Sequence, residues 1–420
     1  MSVRKRKWKT KSGAAREAWF VDYTDQHGVR VGKQFAKKKD ADAFAASTHT
    51  EVRQSSHIAD YATKTVKQAG EKWLKRAEES LEVMTVKQYE QHLRLHILPF
   101  LGDHKLTRIT VPVVREFMDK LRDAGRSPAM VKSIRTSLSG ILAEAQERGW
   151  SNQNAVRDMS QGRKGRESKG DKRRKAKLVV GRDIPTREEI QKVIAQLNKP
   201  DAAYRQLIIT AIFTGMRASE LRGLRWDDID FARKEITVRQ RADATNDMGP
   251  PKSEAGQRTI EMAPMVINTL KDWKDKCPKG ELGLVFPTQK GTVQRHENIV
   301  RRGLWEPQIA AGLTKQKVLR TEGRVPLLKD GKEQLVTVAK YEGLHALRHF
   351  FASWCLNPMS LGGQGKNPME VQKELGHSTI ALTMDTYGHL FKKTKNDGAL
   401  ARAEAALLKP VTATQTQHAG

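Results

Sequence analysis

Apolar residues recur at helical spacing through much of the chain and alternate at strand spacing only in short stretches. Between residues 64 and 158 this pattern predicts four amphipathic helices joined by short loops, a compact bundle. Ser127 is the predicted cap of the fourth helix and Gly149 its end. The positions that define the four apolar faces are Val66, Ala69, Trp73 and Leu74; Thr85, Tyr89, Leu93 and Ile97; Val113 through Leu121; and Met130, Val131, Ile134, Leu138, Ile141 and Leu142.

Residues 1–58 form a separate unit by pattern, predicted as a small three-stranded sheet with one helix. Strands are indicated at 18–23 and 29–35 around a turn at 25–28, followed by a helix from Lys39 to Val52. The unit has thirteen basic and six acidic residues. Because a β-ribbon fits a DNA major groove, the sheet is either a DNA-binding unit or a basic unit with a purely structural role. The basic start of the chain suits a DNA-contacting arm or a nuclear import patch.

Residues 159–183 are almost free of apolar side chains and predict a basic linker, either solvated or lying along a phosphate backbone. Residues 184–395 then predict a mixed helical domain with β-hairpins, and 396–420 a short Ala/Leu helix and a disordered tail. The expected fold class is therefore mainly α with small antiparallel sheets (α+β). The signals within the third domain are a capping box at Thr186 and Glu189, a strand at 227–238 paired with 257–262, and a hairpin turning at Asp330–Gly331.

The net charge indicates the kind of binding partner, and the chain length indicates the number of domains. The 420 residues suggest two or three domains, while the formal charge of +28 favours a polyanionic partner, above all nucleic acid. Two cysteines, Cys277 and Cys355, are too few for a disulfide framework and predict reduced thiols. No apolar run is long enough to span a membrane and no signal peptide is recognisable, so a cytoplasmic location is expected.

Five separated segments carry residues suited to attack on a phosphodiester. Such an attack needs fixed cations on the phosphate oxygens, a nucleophile in line and an acid for the leaving oxygen. Arginine offers a planar fork that matches two phosphate oxygens and stays charged. The candidates are Arg217 in TGMRASEL, Lys252 in PPKSEAGQRTI, His345 and Arg348 in HALRH, His377 in LGH, and Tyr387, ten residues after His377.

Taken singly, each of these residues has an ordinary structural explanation. A lone arginine more often forms a surface ion pair, a lone histidine is more often a satisfied core residue, and most tyrosines are simply half-buried. His345 and Arg348 are three residues apart and would share one helix face. The functional hypothesis therefore depends on all of the segments occurring together in one chain.

In this combination and order the segments resemble the tyrosine recombinase (phage integrase) family, whose motifs run TGxRxSEL, a hairpin lysine, HxLRH, LGH and MTxxYxH. The resemblance covers about 180–395; more loosely, 64–158 resembles the core-binding domain and 1–58 the arm-binding unit of long phage integrases. It implies that Tyr387 forms a 3′-phosphotyrosyl bond, that Arg217 and Arg348 hold the non-bridging oxygens, and that Lys252 protonates the leaving oxygen. It further implies His345 as general base or relay, His377 as a hydrogen-bond donor and Glu220 as an orienting residue, without metal or other cofactor.

Two parts of this assignment are less specific. Lys234 competes with Lys252 for the role of hairpin lysine, although Lys234 falls in the turn before the first strand. The segment between Leu304 and Tyr341 does not align with the family pattern and is expected to hold a further hairpin.

The resemblance also implies partners and leaves alternatives. A site-specific integrase of a phage or integrative element would act on double-stranded attachment sites as a tetramer, with a DNA-bending protein and an excisionase as accessory factors. The segment 397–410 would dock on a neighbouring protomer or pack on its own. A chromosome-dimer resolvase usually lacks an N-terminal domain such as 1–58, and a non-catalytic DNA-binding regulator would not need the intact set. Topoisomerase activity would appear as a side reaction.

Overall fold

The computed structural model describes residues 1–10, 15–25, 28–53, 58, 63–161, 177–319, 327–330 and 332–390. It divides into two compact units, Met1–Lys175 and Ala176–Gly420. The predicted linker core and the predicted C-terminal helix and tail lie outside the described residues. Among the described residues the architecture is mainly helical with small antiparallel sheets, as the pattern predicts.

The first unit begins with a three-stranded antiparallel sheet in the order β1-β2-β3. Its elements are β1 (Ser2–Lys9), β2 (Ala15–Thr24), β3 (Arg30–Phe35) and the helix α1 (Lys38–Arg53). Val21 and Tyr23, two residues apart on β2, are buried with Ala41 of α1 because alternate side chains of a strand share one face. The basic start of the chain is thus an edge strand; residues 26 and 27 of the predicted turn lie outside the described part.

A helical bundle follows in the same unit. Its elements are α2 (Val66–Ser80), α3 (Val83–His92), α4 (Leu98–Leu101), α5 (Val111–Asp123), α6 (Pro128–Glu147) and α7 (Ala155–Gln161). Thr65 caps α2 with a capping box, and Ser127 accepts from Met130 N to cap α6, as predicted. Residues Leu93–Ile97 form a π-helical turn, through which α3 continues into α4 without an intervening loop. The short helix α7 was not predicted and reaches into the predicted linker.

The second unit contains nine helices of various lengths among its described residues. They are α8 (Arg187–Leu197), α9 (Arg205–Thr214), α10 (Ala218–Arg222), α11 (Pro264–Lys274), α12 (His296–Asn298), α13 (Glu306–Ala310), α14 (His345–Leu356), α15 (Pro368–Leu375) and α16 (Ile380–Tyr387). A π-helical stretch, Ile299–Trp305, joins α12 to α13. Helix α8 begins at the predicted capping box of Thr186 and Glu189.

Short antiparallel sheets complete this unit. The strands are β4 (Ile229–Asp230), β5 (Glu235–Val238), β6 (Arg241–Ala242), β7 (Met248–Gly249), β8 (Arg258–Glu261), β9 (Thr314–Val318), β10 (Leu328–Lys329), β11 (Lys332–Glu333) and β12 (Leu335–Ala339). The predicted pairing of 227–238 with 257–262 is present as β5 on β8, with Val238 opposite Arg258. The segment between Leu304 and Tyr341 holds the expected hairpin, but its longer ladder joins β12 to β9.

The core of the second unit gathers side chains from α8, α9, α11, α14 and the β4-β5-β8 sheet. A smaller buried cluster joins α14, α15 and Tyr387, so the last helix is attached to the domain through its tyrosine end. Both cysteines are unpaired; Cys355 is buried and Cys277 half-buried. Within the described residues, no helix combines the length and apolar character needed to cross a membrane.

Candidate active site

Five of the predicted catalytic residues, all except Lys252, lie on or beside short elements that meet around α14. Arg217 immediately precedes α10, His345 is the first residue of α14, and Tyr387 is the last of α16. Contacts between these elements are direct: Arg217 Nη2 donates to Gly376 O at 3.0 Å and Arg348 Nη1 to Gly215 O at 2.7 Å. The bond from Arg217 to Gly376 alone joins residues 159 positions apart in sequence.

Glu220 holds Arg217 from the first turn of α10, whereas Arg217 itself lies just before that helix. Arg217 is the N-cap residue, and Glu220 reaches back from the first turn to accept from its backbone N at 2.9 Å and from Nη1 at 2.7 Å. Burial alone would raise the pKa of Glu220, but Arg258 and Arg217 outweigh it and hold that pKa below its usual value. Glu220 is therefore an anion that fixes both the backbone and the fork of Arg217.

Arg348 is a buried cation without a carboxylate partner among the described residues. Its side chain is 2% exposed, and its two terminal nitrogens donate to the carbonyls of Gly215 and Leu375. Burial, with Arg217 nearby, lowers the pKa of Arg348 to about 9. An uncompensated buried charge is costly, so this position favours an incoming anion such as phosphate.

Two glycines allow these arginines to approach the main chain. Gly215 and Gly376 end α9 and α15 with φ of 61° and 63°, in the left-handed region. A Cβ on Gly215 would lie 2.4 Å from Cδ1 of Phe351, and one on Gly376 would lie 2.8 Å from Ala255 O. At Gly215 of the TGMR segment and Gly376 of the LGH segment, any other residue would therefore have both a strained backbone and a side chain in steric conflict with its neighbours.

Tyr387 is buried, and its hydroxyl is 2.7 Å from Nδ1 of His349. Burial raises the pKa of Tyr387 to about 12, with Arg348 and Arg217 acting in the opposite direction. Burial lowers the pKa of His349 to about 4, assisted by His345 and Arg348. At neutral pH, a protonated tyrosine therefore shares a hydrogen bond with a neutral imidazole, and the tyrosine is the donor when the imidazole proton is on Nε2.

The predicted general base, His345, is not the histidine nearest to the tyrosine hydroxyl. The ring of His345 packs edge-on against that of His349, with centroids 4.6 Å apart. Its pKa is lowered by the protein packed around the ring and by the charges of Arg348 and Arg217. Sequence reasoning missed His349, although its spacing of four residues from His345 places both on one helix face.

His377 lies parallel to Tyr387, with ring centroids 6.4 Å apart and planes at 4°. Its Nδ1 is 2.9 Å from Thr383 Oγ1, which fixes the ring orientation. Burial, with Arg348 and Arg217 next in importance, lowers the pKa of His377 to about 4. The imidazole is neutral, and Nε2 can carry the proton that a phosphate oxygen would accept when Nδ1 accepts from Thr383.

Lys252 lies beyond the hairpin, in the loop from β7 to β8. The tip of the β6–β7 hairpin is the turn 243–247, whereas Lys252 follows β7 with an exposed side chain. Lys252 therefore lies in the segment that connects β5 to β8, the predicted pair, and not at a hairpin tip. Lys234 occupies the turn between β4 and β5, at the opposite end of β5 from the loop that carries Lys252.

Arg258 is a second residue that sequence reasoning missed. Its side chain is 5% exposed, and Nη2 donates to Glu220 Oε2 at 2.8 Å. It follows Lys252 by six residues in the same motif, but nothing in the motif distinguishes it from other basic residues. The described residues contain no group of His, Cys, Asp and Glu that could hold a metal ion.

The chain matches two models of known protein families. The family model described as "Phage integrase family" matches residues 185–394, half of the chain, and this range includes every residue of the cluster. A second model, "Phage integrase, N-terminal SAM-like domain", matches residues 65–122. The chain belongs to the phage integrase family.

The relatives of the chain include bacterial proteins named as a tyrosine recombinase and as an integrase. The chain is 24% identical over 401 residues to "Tyrosine recombinase XerC-like" of Caldanaerobacter subterraneus subsp. tengcongensis, covering 89% of this chain and 92% of that protein. It is 22% identical over 312 residues to the ICEBs1 integrase of Bacillus subtilis, covering 72% and 73%. The chain is a tyrosine-type site-specific recombinase.

Solved structures share the fold of the recombinase at low sequence identity. The Tn1549 transposon integrase in complex with a circular intermediate DNA aligns with a TM-score of 0.58 and 18% identity, covering 82% of this chain and all of that one. A lambda integrase dimer bound to a core site aligns with a TM-score of 0.52 and 18% identity, covering 93% and 97%.

Proposed function

We propose that this recombinase integrates and excises a mobile element by cutting and rejoining double-stranded DNA through a 3′-phosphotyrosyl bond at Tyr387. The observation that carries the proposal is the cluster around that residue. It combines a buried tyrosine, neutral imidazoles and three guanidinium groups; Arg217 and Arg258 pair with Glu220, whereas Arg348 donates to main-chain carbonyls. The excess of positive charge suits a phosphodiester.

The proposed reaction conserves atoms and needs no cofactor. The hydroxyl oxygen of Tyr387 attacks phosphorus, and the bond from phosphorus to the 5′ oxygen breaks. The proton of the hydroxyl passes to an imidazole, either His349 or His345. Lys252 Nζ gives a proton to that oxygen. Arg217 and Arg348 hold the non-bridging oxygens, and His377 Nε2 donates to one of them. Attack by a 5′ hydroxyl on the phosphotyrosine reverses these steps, so the bond energy is retained.

Cleavage requires that buried groups become accessible. Tyr387 is 1% exposed and Arg348 is 2% exposed, so neither can reach a phosphate that stays outside the protein surface. Tyr387 is the last residue of α16, a helix of eight residues, and a displacement of this end would free the hydroxyl. DNA binding would favour the displaced state by supplying the anion that the cluster lacks.

Partners follow from the same chemistry and from the relatives. A lambda integrase has been solved as a tetramer bound to a Holliday junction. Four protomers on two duplexes would let tyrosines act in pairs, and we infer this assembly for the recombinase. A DNA-bending protein and an excisionase would bias its direction, and its location would be the cytoplasm, at the nucleoid when bound to DNA.

Each domain would have its own role on DNA. Residues 1–58 would bind arm-type sites, residues 64–158 would bind the core site, and residues 184–395 would cut the DNA. One face of the N-terminal sheet supports the first assignment, because Arg6 lies over the ring of Phe20 at 5.0 Å and Trp8 lies opposite Arg16. Basic and aromatic side chains together suit a nucleic-acid contact.

The decisive test uses nicked suicide duplexes drawn from a random-sequence pool, from which the 5′ fragment diffuses away after cleavage. Wild-type protein is expected to form an SDS-stable, protease-sensitive DNA adduct, and Tyr387→Phe none, with equal DNA binding by both. Binding by both proteins without an adduct would favour the regulator alternative. An adduct with strand exchange between two sites on different molecules would favour an integrase over a topoisomerase.

A further inference from the structure

Arg258 connects three segments that contribute to the active site. Its Nη2 donates to Glu220 Oε2 at 2.8 Å, its Nη1 to Gly256 O at 2.9 Å and its Nε to Glu374 O at 2.6 Å. Each of these acceptors belongs to a different part of the fold. Three charge-assisted bonds from one buried planar group fix their relative positions.

Two of the segments hold the proposed phosphate-binding arginines. Glu220 is also the partner of Arg217, and Glu374 directly precedes the residues whose carbonyls accept from Arg348 and Arg217. A Cβ on Gly376 would lie 3.1 Å from Nη1 of Arg258, so this main chain is in close contact with the guanidinium. Arg258 therefore shares its surroundings with both arginines.

The third segment is the loop that carries Lys252. It ends in a 3₁₀ turn, Glu254–Gly256, in which Gly256 N donates to Ser253 O at 2.8 Å. Gly256 packs directly on Pro251, since a Cβ there would lie 2.5 Å from the Cβ of that proline. The loop thus closes on itself, and the residue next to Lys252 is in contact with the residue that Arg258 binds.

We propose that Arg258 is a positioning residue that holds the loop 251–256 and thereby places Lys252 at the leaving oxygen. This inference depends on the proposed role of Lys252 as the acid. The side chain of Lys252 is exposed, so its reach to one oxygen depends on where the loop is held. A proton donor must be within hydrogen-bond distance of the atom it protonates, which makes loop position a direct control of rate.

The test compares two leaving groups at the same site. A duplex captured by wild-type protein from the random pool is synthesised with either oxygen or sulfur bridging phosphorus and the 5′ carbon. A thiolate is a far weaker base than an alkoxide and leaves without a proton donor. On the oxygen duplex, Arg258→Lys and Lys252→Ala are both expected to form the adduct at least about 30-fold more slowly than wild type. On the sulfur duplex, both are expected to come within about 3-fold of wild type, because the acid is no longer needed.

Two further variants separate this role from general stability. Gly256→Ala leaves Arg258 in place but displaces Pro251, and it is expected to show the same rescue by sulfur if Arg258→Lys does not fold. Gln308→Ala is the control, because buried Gln308 donates to Leu304 O and Tyr341 O outside the cluster. It is expected to lower Tm while cleaving the two duplexes in the wild-type ratio.

Two results would overturn the positioning role of Arg258. The first is that Arg258→Lys is slowed equally on the oxygen and sulfur duplexes. The second is that the sulfur duplex restores the cleavage rate of the control Gln308→Ala more than that of wild type. If Lys252→Ala is equally slow on both, Lys252 is not the acid, and the inference fails while the role of Tyr387 stands. Absence of any adduct with wild-type protein contradicts the proposed function itself.

Discussion

At the residue scale, the hydrogen bond between Tyr387 and His349 identifies a partner for the proposed nucleophile. We expect His349→Ala to slow adduct formation roughly 10-fold, since removing an orienting hydrogen bond costs about 1.4 kcal/mol. DNA affinity should change little, because the half-buried, neutral His349 bonds to the tyrosine hydroxyl and brings no positive charge to a phosphate. The measurement is the single-turnover rate of adduct formation on a suicide duplex, with DNA binding measured in parallel.

A matched histidine provides the control for this prediction. His389 Nε2 lies 2.6 Å from Leu178 O, so the hydrogen bond of this imidazole goes to a main-chain carbonyl and not to the hydroxyl of Tyr387. His389→Ala should leave the rate close to wild type. If His345→Ala is slow while His349→Ala reacts normally, His345 is the proton acceptor that the family resemblance implies.

The buried neutral state of His377 gives the stability of the second unit a dependence on pH. Its pKa is about 4 in the folded chain and near 6.5 when unfolded, so the unfolded state binds the proton first as pH falls. The stabilisation is complete above pH 6.5 and is lost progressively towards pH 4. Between pH 7 and pH 5 this single group should account for about 2 kcal/mol.

His377→Asn tests this dependence, since asparagine can still bond to Thr383 but does not titrate. Urea unfolding at both pH values, read by pulsed hydrogen exchange of peptides from α14 and α15, reports on the second unit alone. Wild type should lose more stability between pH 7 and pH 5 than the variant does. Equal losses would mean that the folded protein tolerates the imidazolium.

The sequence indicates which residues are candidates for the site, but it does not indicate which of them are in contact with one another. Arg217, Arg348, His377 and Tyr387 are recognisable because their motifs are specific in combination. The spacing of α14 places His345 and His349 on one face, but which of them meets Tyr387 depends on how α16 packs against α14. That packing is set by residues far apart in sequence, which no local pattern encodes.

At the element scale, Gly376 ends helix α15 at a position where both the backbone conformation and the available space exclude a larger residue. Gly376→Ala should destabilise the second unit by more than about 1 kcal/mol, because φ is positive and a Cβ would lie 2.8 Å from Ala255 O. The adduct rate should fall as well, since the carbonyl of Gly376 accepts from Arg217. Urea unfolding and single-turnover cleavage measure the two effects.

Gly312→Ala separates strain from contact. Gly312 has φ of 73°, but a Cβ there has no neighbour within 4 Å. This variant should lose only the roughly 1 kcal/mol of left-handed strain and should cleave like wild type. If both alanine variants cleave equally well, the approach of Gly376 to its neighbours has no role in the chemistry.

Elements with a strong local signal are those that the pattern predicts correctly. Helices α2, α5 and α6 follow from apolar periodicity, α6 also from its predicted cap Ser127, and the pairing of β5 with β8 follows from the predicted strands. The β9–β12 ladder was missed because its strands are separated by residues 319–334, which include a shorter hairpin with its own turn signal. A turn dipeptide predicts the nearest pairing, whereas ladder length depends on more distant partners.

At the scale of the whole molecule, a formal charge of +28 predicts DNA binding that weakens steeply with salt. The outer face of the N-terminal sheet should contribute, because β1 pairs with β2 so that Arg6, Trp8 and Arg16 share one side. Replacing Arg6 and Arg16 with glutamine should reduce the slope of log K against log salt by about 2, one unit for each phosphate that is no longer neutralised. Fluorescence anisotropy of a labelled duplex at several salt concentrations measures the slope.

The opposite face of the same sheet supplies a control of equal charge. Lys33 lies over the ring of Phe44 and Lys38 over that of Trp19, on the side that packs against α1. Replacing these two lysines with glutamine removes the same formal charge, so any long-range effect of net charge would be equal in the two variants. A slope that changes only in the Arg6 and Arg16 variant would place phosphate contacts on the outer face. Equal changes would mean that this unit acts through its overall charge, and the arm-binding assignment of residues 1–58 would lose its structural basis.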